Sequence, residues 1–265
     1  MLKSISKEEI SKFKTYQIKE LADKISPDKY LDFINLFGAD ERKSVLSICN
    51  SLNKRLEKIK LEEERLIRIN EFEEIAYDKG YIYIGGVDEA GRGPLAGPVV
   101  AAVVVFDRMT KIPGVDDSKK IKESKREELF EYIIKNAKDY GIGIADNVEI
   151  DEINILNATY LAMKRAIDML KEKPDCLLND AVTIPDLNIA QVPIIKGDSK
   201  SISIAAASIL AKVTRDRIMY DMDKKYPHYG FSSNKGYGTK DHYSGIMNYG
   251  ITPIHRKSFL KNINY

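Results

Sequence analysis

Residues 99–105 read Val-Val-Ala-Ala-Val-Val-Val, an unbroken apolar run in which every residue but two is β-branched. A run so short and so rich in valine belongs to a core strand rather than a helix. A second β-rich run, Tyr81-Ile82-Tyr83-Ile84, precedes it. Between the two lie adjacent acids, Asp88 and Glu89, then an arginine between glycines, then Pro94 and Pro98. Burying two unpaired carboxylates beside core strands costs several kcal/mol, on the order of the penalty per desolvated ion. A basic partner, a shared proton or a metal cation must therefore compensate them.

The chain has 265 residues, 43% of them hydrophobic, enough for one large domain or an ordinary domain plus a small one. Its two cysteines, Cys49 and Cys176, are far apart and outside any C-x-x-C pattern, so neither a disulfide framework nor a cysteine zinc site is indicated. The first residues lack the apolar core of a signal peptide, and no apolar run approaches the roughly 20 residues of a membrane helix. A cytoplasmic protein without a membrane partner is expected. Charge is uneven: residues 1–80 balance, residues 81–195 carry 14 basic and 19 acidic side chains, and residues 196–265 carry 12 and 5. An acidic middle beside a basic tail suggests a cation site next to a polyanion-binding face. A solvated basic surface without a ligand is the plain alternative.

Residues 1–78 read as an all-helical accessory domain. Ser6-Lys7-Glu8-Glu9 has capping-box form, and Val45, Ile48, Leu52, Ile59, Leu66 and Ile69 form a near-heptad series that Arg55 and Glu62 interrupt. From residue 79 to 265 strands and helices alternate, as in an α/β domain whose first two strands need not be parallel. Ser124-Lys125-Arg126-Glu127 is a second capping-box sequence. Tyr160, Met163, Ile167 and Leu170 recur at helical spacing as a core stripe, and Ile202, Ala206, Ile209 and Val213 mark a further helix.

Three apolar strands reach an acid at or just past their ends: Asp88 with Glu89, Asp180, and Asp198. Strand ends are where sites gather in α/β sheets, so these acids can converge. Oxygen donors without His or Cys suit Mg²⁺ or Mn²⁺, and two such ions can hydrolyse a phosphodiester. Taken singly, Asp198 fits a helix cap and Asp180 a turn. In the adjoining turn Gly91 and Gly93 allow close backbone approach to a ligand, and Arg92 suits phosphate. The glycine spacing fits neither a dinucleotide fingerprint nor a P-loop. His228, His242 and His255 lack zinc spacing.

These residues carry a resemblance. The stretch GGVDEAGRGPLAGPVVAAVV resembles the signature of the type 2 ribonucleases H, in particular the bacterial ribonuclease HII group. The match continues through DDSKK, LLNDAVTIP, IIKGDSKSISIAAASILAKVTRDR, NKGYGTKDH and HRKSF. It implies an RNase H-like fold, with a mixed central β-sheet flanked by helices and a helical C-terminal region, here preceded by the helical extension. By motif position Asp88, Glu89, Asp180 and Asp198 fall on the metal-binding catalytic carboxylates. Gly91, Arg92 and Gly93 fall on the loop that contacts the ribose 2′-hydroxyl, and Tyr237 on the tyrosine that packs against the sugar at the RNA–DNA junction. Lys119 and Lys200 look like phosphate contacts. One departure is Asn179, where the family usually has an apolar residue.

The resemblance implies two Mg²⁺ or Mn²⁺ ions, and as substrates RNA–DNA hybrids and DNA duplexes with embedded ribonucleotides, cut 5′ of the ribonucleotide. A monomer is expected and protein partners stay open. A junction-cutting nuclease that ignores the 2′-hydroxyl is a rival that the Gly-Arg-Gly turn opposes. A non-catalytic hybrid-binding module is another, opposed by four complete carboxylates.

Overall fold

The computed structural model describes residues 12–261, and the Ser6–Glu9 capping-box sequence lies outside them. Two compact units divide between Leu66 and Ile67. Helices α1 (Thr15–Lys24), α2 (Tyr30–Phe37) and most of α3 (Lys43–Arg68) form the first. Its core gathers Ile18, Phe33, Phe37, Val45, Cys49 and Leu52, with the Phe33 and Phe37 rings 4.6 Å apart.

The second unit begins with α4 (Glu71–Asp78) and centres on a five-stranded sheet. Strands β1 (Ile84–Ala90), β2 (Val99–Val105), β3 (Asp139–Ala145), β4 (Cys176–Asp180) and β5 (Ala190–Ile194) lie in the order β3-β2-β1-β4-β5. β2 runs antiparallel to both neighbours, whereas β1, β4 and β5 run parallel. The sheet is therefore mixed, as the resemblance implies. No residue of β2 is more than 1% exposed. Each valine buried there contributes about 1.5–3 kcal/mol.

Helix α5 (Glu123–Asn136) packs on α7 (Ile202–Lys225), and α6 (Asn147–Asp168) covers one face of the sheet. On that face Ala162, Met163 and Ala166 meet Val87, Val103 and Leu177. α7 covers the other face, where Ile204 packs with Ile84 and Leu178. Contact is close at Gly86, where any Cβ would overlap the Ser203 backbone. Short helices α8 (Phe231–Asn234) and α9 (Lys240–Tyr249) follow, and Tyr229 and Phe231 belong to their core with Met219, Ile246 and Leu260. Ser124 does not cap α5 as its sequence suggests. The helix starts at Glu123 with Lys122 in the N-cap position. Arg126 is drawn instead to the carbonyls of Ser118 and Ile121, which fixes the entering chain.

The start of α7 lies deep in the second unit, and a helix leaves its first N–H groups without internal partners. Here each is satisfied in turn. Ile202 N–H donates to the Ile69 carbonyl at 2.8 Å, Ser203 N–H to Glu73 Oε1 at 3.0 Å, and Ile204 N–H to Ser201 Oγ at 3.2 Å. The hydroxyls of Ser201 and Ser203 also donate to Glu73 Oε1, both at 2.5 Å. Burial raises the Glu73 carboxyl above its ordinary value, so the fold favours its neutral form. Glu73 is one of several charges in its stretch of sequence, and nothing local singles it out. In the structure it anchors α4 to the base of α7. Glu73→Ala is expected to cost about 1–3 kcal/mol by stranding these buried donors, and Glu73→Gln, which keeps an acceptor, less. Urea denaturation of the two variants checks this.

Candidate active site

β1 and β4 pair in parallel with Val87 opposite Asn179. One residue further on, Asp88 and Asp180 stand side by side at the strands' C-terminal ends. Strand alternation turns both toward α7, on the same face as Ile84 and Leu178. Asn179 points the other way, where its Nδ2 donates to Gln191 Oε1 at 2.8 Å. The polar residue before the third acid is thus held by a polar partner on the opposite face. Asp198 arrives from the tight turn Gly197–Ser199 that leads into α7, and Gly197 N–H donates to Asp180 Oδ1 at 2.7 Å. Ser201, not Asp198, caps the helix. Glu89 N–H donates to Asp88 Oδ1 at 2.7 Å, and Glu89 Oε1 lies 3.4 Å from Arg92 Nη1.

Electrostatics bind the four acids into one cluster. Burial, then the charges of Glu89 and Asp180, hold the Asp88 carboxyl well above the ordinary range. Burial also raises Glu89, against the pull of Arg92, with Asp180 adding to the rise. Asp198 is raised by burial, then by Asp117 and Asp180. Burial lowers the Lys119 ammonium, but Asp117, Asp198, Asp88 and Asp180 outweigh it and the net shift is upward. Lys119 Nζ lies 4.0 Å from Asp198 Oδ2. Lys200 is exposed just after the Asp198 turn. Asp117, a fifth acid in this field, was visible in DDSKK only as one charge among several.

Among the described residues no three acidic, histidine or cysteine side chains close into a ready-made ion cage. Like charges at this density repel, and the same repulsion is what a divalent cation relieves. Glu89 Oε2 is buried with no hydrogen-bond partner among the described residues. An all-oxygen donor set with one free, buried oxygen fits Mg²⁺ or Mn²⁺.

The Gly91–Gly93 turn is held from beneath. Gly91 has φ +98°, and a Cβ there would overlap the Arg215 side chain. Arg215, 1% exposed, donates to the carbonyls of Pro98, Lys235 and Ala96 at 2.9, 2.8 and 3.2 Å. Arg256, fully buried, donates to Gly97, Arg92, Gly91 and Pro98 carbonyls at 2.9, 3.0, 2.6 and 3.1 Å. Burial lowers Arg215 to about 10 and, with Arg215 nearby, Arg256 to about 9, so both stay cationic at neutral pH. A Cβ on Gly93 would lie 3.5 Å from Tyr237 Cε1, which makes turn and ring one wall. A pocket of about 460 Å³ opens there, lined by Glu89, the turn, Tyr237 and the cations Lys119, Arg126, Lys212 and Arg215. Glu89 is the one of the four acids on its lining.

Sequence reading did not assign Arg126, Lys212 or Arg215 to the site, and it left His255-Arg256-Lys257 as either structural or phosphate-facing. TRDR and HRKSF carried the two buried arginines, but nothing local distinguishes a buried arginine from a surface one.

Such a fold and site define a nucleic-acid hydrolase that depends on a divalent metal. A family model described as ribonuclease HII matches residues 85–262, and one described as its N-terminal domain matches residues 14–77. Ribonuclease HII of Clostridioides difficile is 66% identical over 93% of this chain and 97% of its own length. That of Acetivibrio thermocellus is 51% identical over 93% and 96%. The crystal structure of ribonuclease H2 from Pyrococcus horikoshii superposes with a TM-score of 0.56 at 31% identity, covering 67% of this chain and 93% of that one. The chain belongs to the ribonuclease HII family and is a metal-dependent ribonuclease.

The raised Asp88 carboxyl has a stability signature. Its folded state prefers the proton, so its contribution is full below the unfolded value of about 4 and is lost as pH rises through the folded one. Asp88→Asn removes that loss. In chelator, the melting temperature of Asp88→Asn is expected to exceed that of the unmodified protein by a margin that widens as pH rises above about 4 and levels off past the folded value (about 2–4 °C per kcal/mol for a chain of this size).

Proposed function

We propose that this enzyme hydrolyses the RNA strand of RNA–DNA duplexes and incises DNA duplexes on the 5′ side of single embedded ribonucleotides, leaving 3′-hydroxyl and 5′-phosphate ends. The carrying observation is one contiguous wall: Glu89 with its free buried oxygen, the Gly91–Gly93 turn and the Tyr237 ring all border the same cation-lined pocket.

In this reading Asp88, Glu89, Asp180 and Asp198 hold two Mg²⁺ or Mn²⁺ ions. Bound there, the ions supply water activation and charge neutralisation at the departing 3′-oxygen. The chain's own residues do the rest. Arg92 and Lys119 draw in phosphate, with Lys200 reaching the strand beyond Asp198. Backbone groups at Gly91 and Gly93 pair the 2′-hydroxyl that DNA lacks. Because the carbonyls of Gly91 and Arg92 point down to Arg256, the planar trans peptides turn the N–H groups of Arg92 and Gly93 the opposite way. A site built to pair a hydroxyl leaves polar groups unsatisfied when it is missing, and discriminates by about 10⁴ or more. Tyr237, 47% exposed, presents its ring to the deoxyribose at the RNA–DNA step.

Both units carry their own core; we read residues 1–78 as the accessory helical extension, and all four acids and the turn lie in the second unit. Among the described residues no helix is long and apolar enough to cross a membrane. The enzyme is read as a cytoplasmic monomer.

The test is cleavage of a DNA duplex with one ribonucleotide beside its all-DNA control, in Mg²⁺, Mn²⁺ and chelator. Incision 5′ of the ribonucleotide, with the control intact and chelator blocking, is the expected result. Asp88→Asn should abolish it while leaving substrate binding largely in place. Near-normal cutting by that variant would sink the carboxylate assignment.

A further inference from the structure

The residues that face the substrate in this reading, the Gly91–Gly93 turn and Tyr237, come from separate parts of the chain, yet both are held by two consecutive buried residues. The stretch Ile254–Arg256 lies along Leu95–Gly97 like a short added strand. His255 bridges Ala96, Gly97 N–H donates to Ile254 at 2.9 Å, and Arg256 N–H donates to Leu95 at 2.8 Å. From that position Arg256 reaches the turn through the carbonyls of Gly91 and Arg92. His255 reaches the other way.

The histidine contacts admit one proton arrangement. Thr252 N–H donates to His255 Nδ1 at 2.8 Å, and a backbone N–H can only donate, so Nδ1 carries no proton. The neutral ring then carries its proton on Nε2, which lies 3.0 Å from His242 Nε2 and donates to it. His242, accepting on Nε2, holds its own proton on Nδ1 and donates it to the Tyr237 carbonyl at 3.0 Å. Both rings are at most 1% exposed, and burial lowers each of them, His255 to about 4, which keeps the relay neutral at physiological pH. Tyr229 and Phe231, the rings packed edge-on against His242, carry no charge.

We propose that His255 and Arg256 are positioning residues for ribonucleotide selection, a clamp that sets the spacing between the Gly-Arg-Gly turn and the Tyr237 ring. The clamp rests on the reading of Tyr237 as the ring that meets the junction deoxyribose. One side of the clamp fixes which way the turn's N–H groups point, and the other fixes the backbone from which the ring projects. Loosening either end separates groups that must act on neighbouring sugars at once. A duplex with one ribonucleotide needs both contacts. A continuous RNA strand offers no deoxyribose at that step and depends less on the ring.

The experiment measures kcat/KM for the full-length enzyme on a single-ribonucleotide duplex and on a continuous RNA–DNA hybrid, together with Mn²⁺ affinity by calorimetry. For His255→Ala the junction-to-hybrid ratio should fall about tenfold, the effect of one lost directional bond, with Mn²⁺ affinity unchanged. His255→Gln, whose amide can donate from the Nε2 position, should recover most of the ratio. The double variant His255→Ala with Tyr237→Ala should be no worse than Tyr237→Ala alone, because both act through one ring. Equal losses on both substrates, or additive losses in the double variant, overturn the clamp. If Tyr237→Ala itself leaves the ratio unchanged, the Tyr237 reading fails and takes the clamp with it. If Tyr237→Ala lowers the ratio and His255→Ala does not, the clamp alone fails. Should His255→Ala not fold, imidazole ¹⁵N shifts of the unmodified protein decide: protons on His255 Nε2 and His242 Nδ1 support the relay, and any other tautomer pair overturns it.

Discussion

Parallel pairing of β1 with β4 forces two carboxylates together on a buried face, and much of the surrounding structure manages that charge. Asp88 and Asp180 cannot separate without breaking strand register, which the hydrophobic faces of both strands enforce. The Asp198 turn is tied to Asp180 through the Gly197 N–H, and behind it the first turn of α7 is tied to Glu73. The acids are thus held by backbone that cannot relax away from them. The order lies in the backbone that carries the acids, since among the described residues their side chains do not close into an ion cage.

A second constraint shapes the neighbouring wall. Arg215 and Arg256 are buried without carboxylate partners and spend their donors on main-chain carbonyls. A buried guanidinium bonded to carbonyls stays cationic, and the field of Arg256 lies directly beneath the Gly91–Gly93 turn. The two halves of the site therefore have opposite electrostatics a few residues apart: repelling acids at the strand ends, and positive charge under the Gly91–Gly93 turn.

The position of Asp88 and Glu89 was legible because charge inside an apolar stretch is expensive enough to stand out in one dimension. The mixed sheet was expected from the family resemblance, whereas the residues themselves said only that the first two strands need not be parallel. Other features left no such mark. Asp198 resembled a helix cap because the true cap, Ser201, lies only one turn later. Ser124 resembled a cap because the pattern of residue types does not record where Arg126 pulls the chain. Glu73 and Arg256 were hardest to see. Each bonds to serines or carbonyls rather than to an opposite charge, so no complementary residue type reveals it, and its burial depends on elements far away in sequence.

The place of Arg256 in the chain also bears on how the protein is made. Synthesis runs from the amino end, and all four acids, the turn and Tyr237 are translated before the residues that brace them. A nascent chain that has reached α9 holds every acid while the carbonyls of Gly91, Arg92, Gly97 and Pro98 still lack their Arg256 donors. In the proposed reading, the acids that would hold metal are thus translated before the brace of the turn that would meet the 2′-hydroxyl.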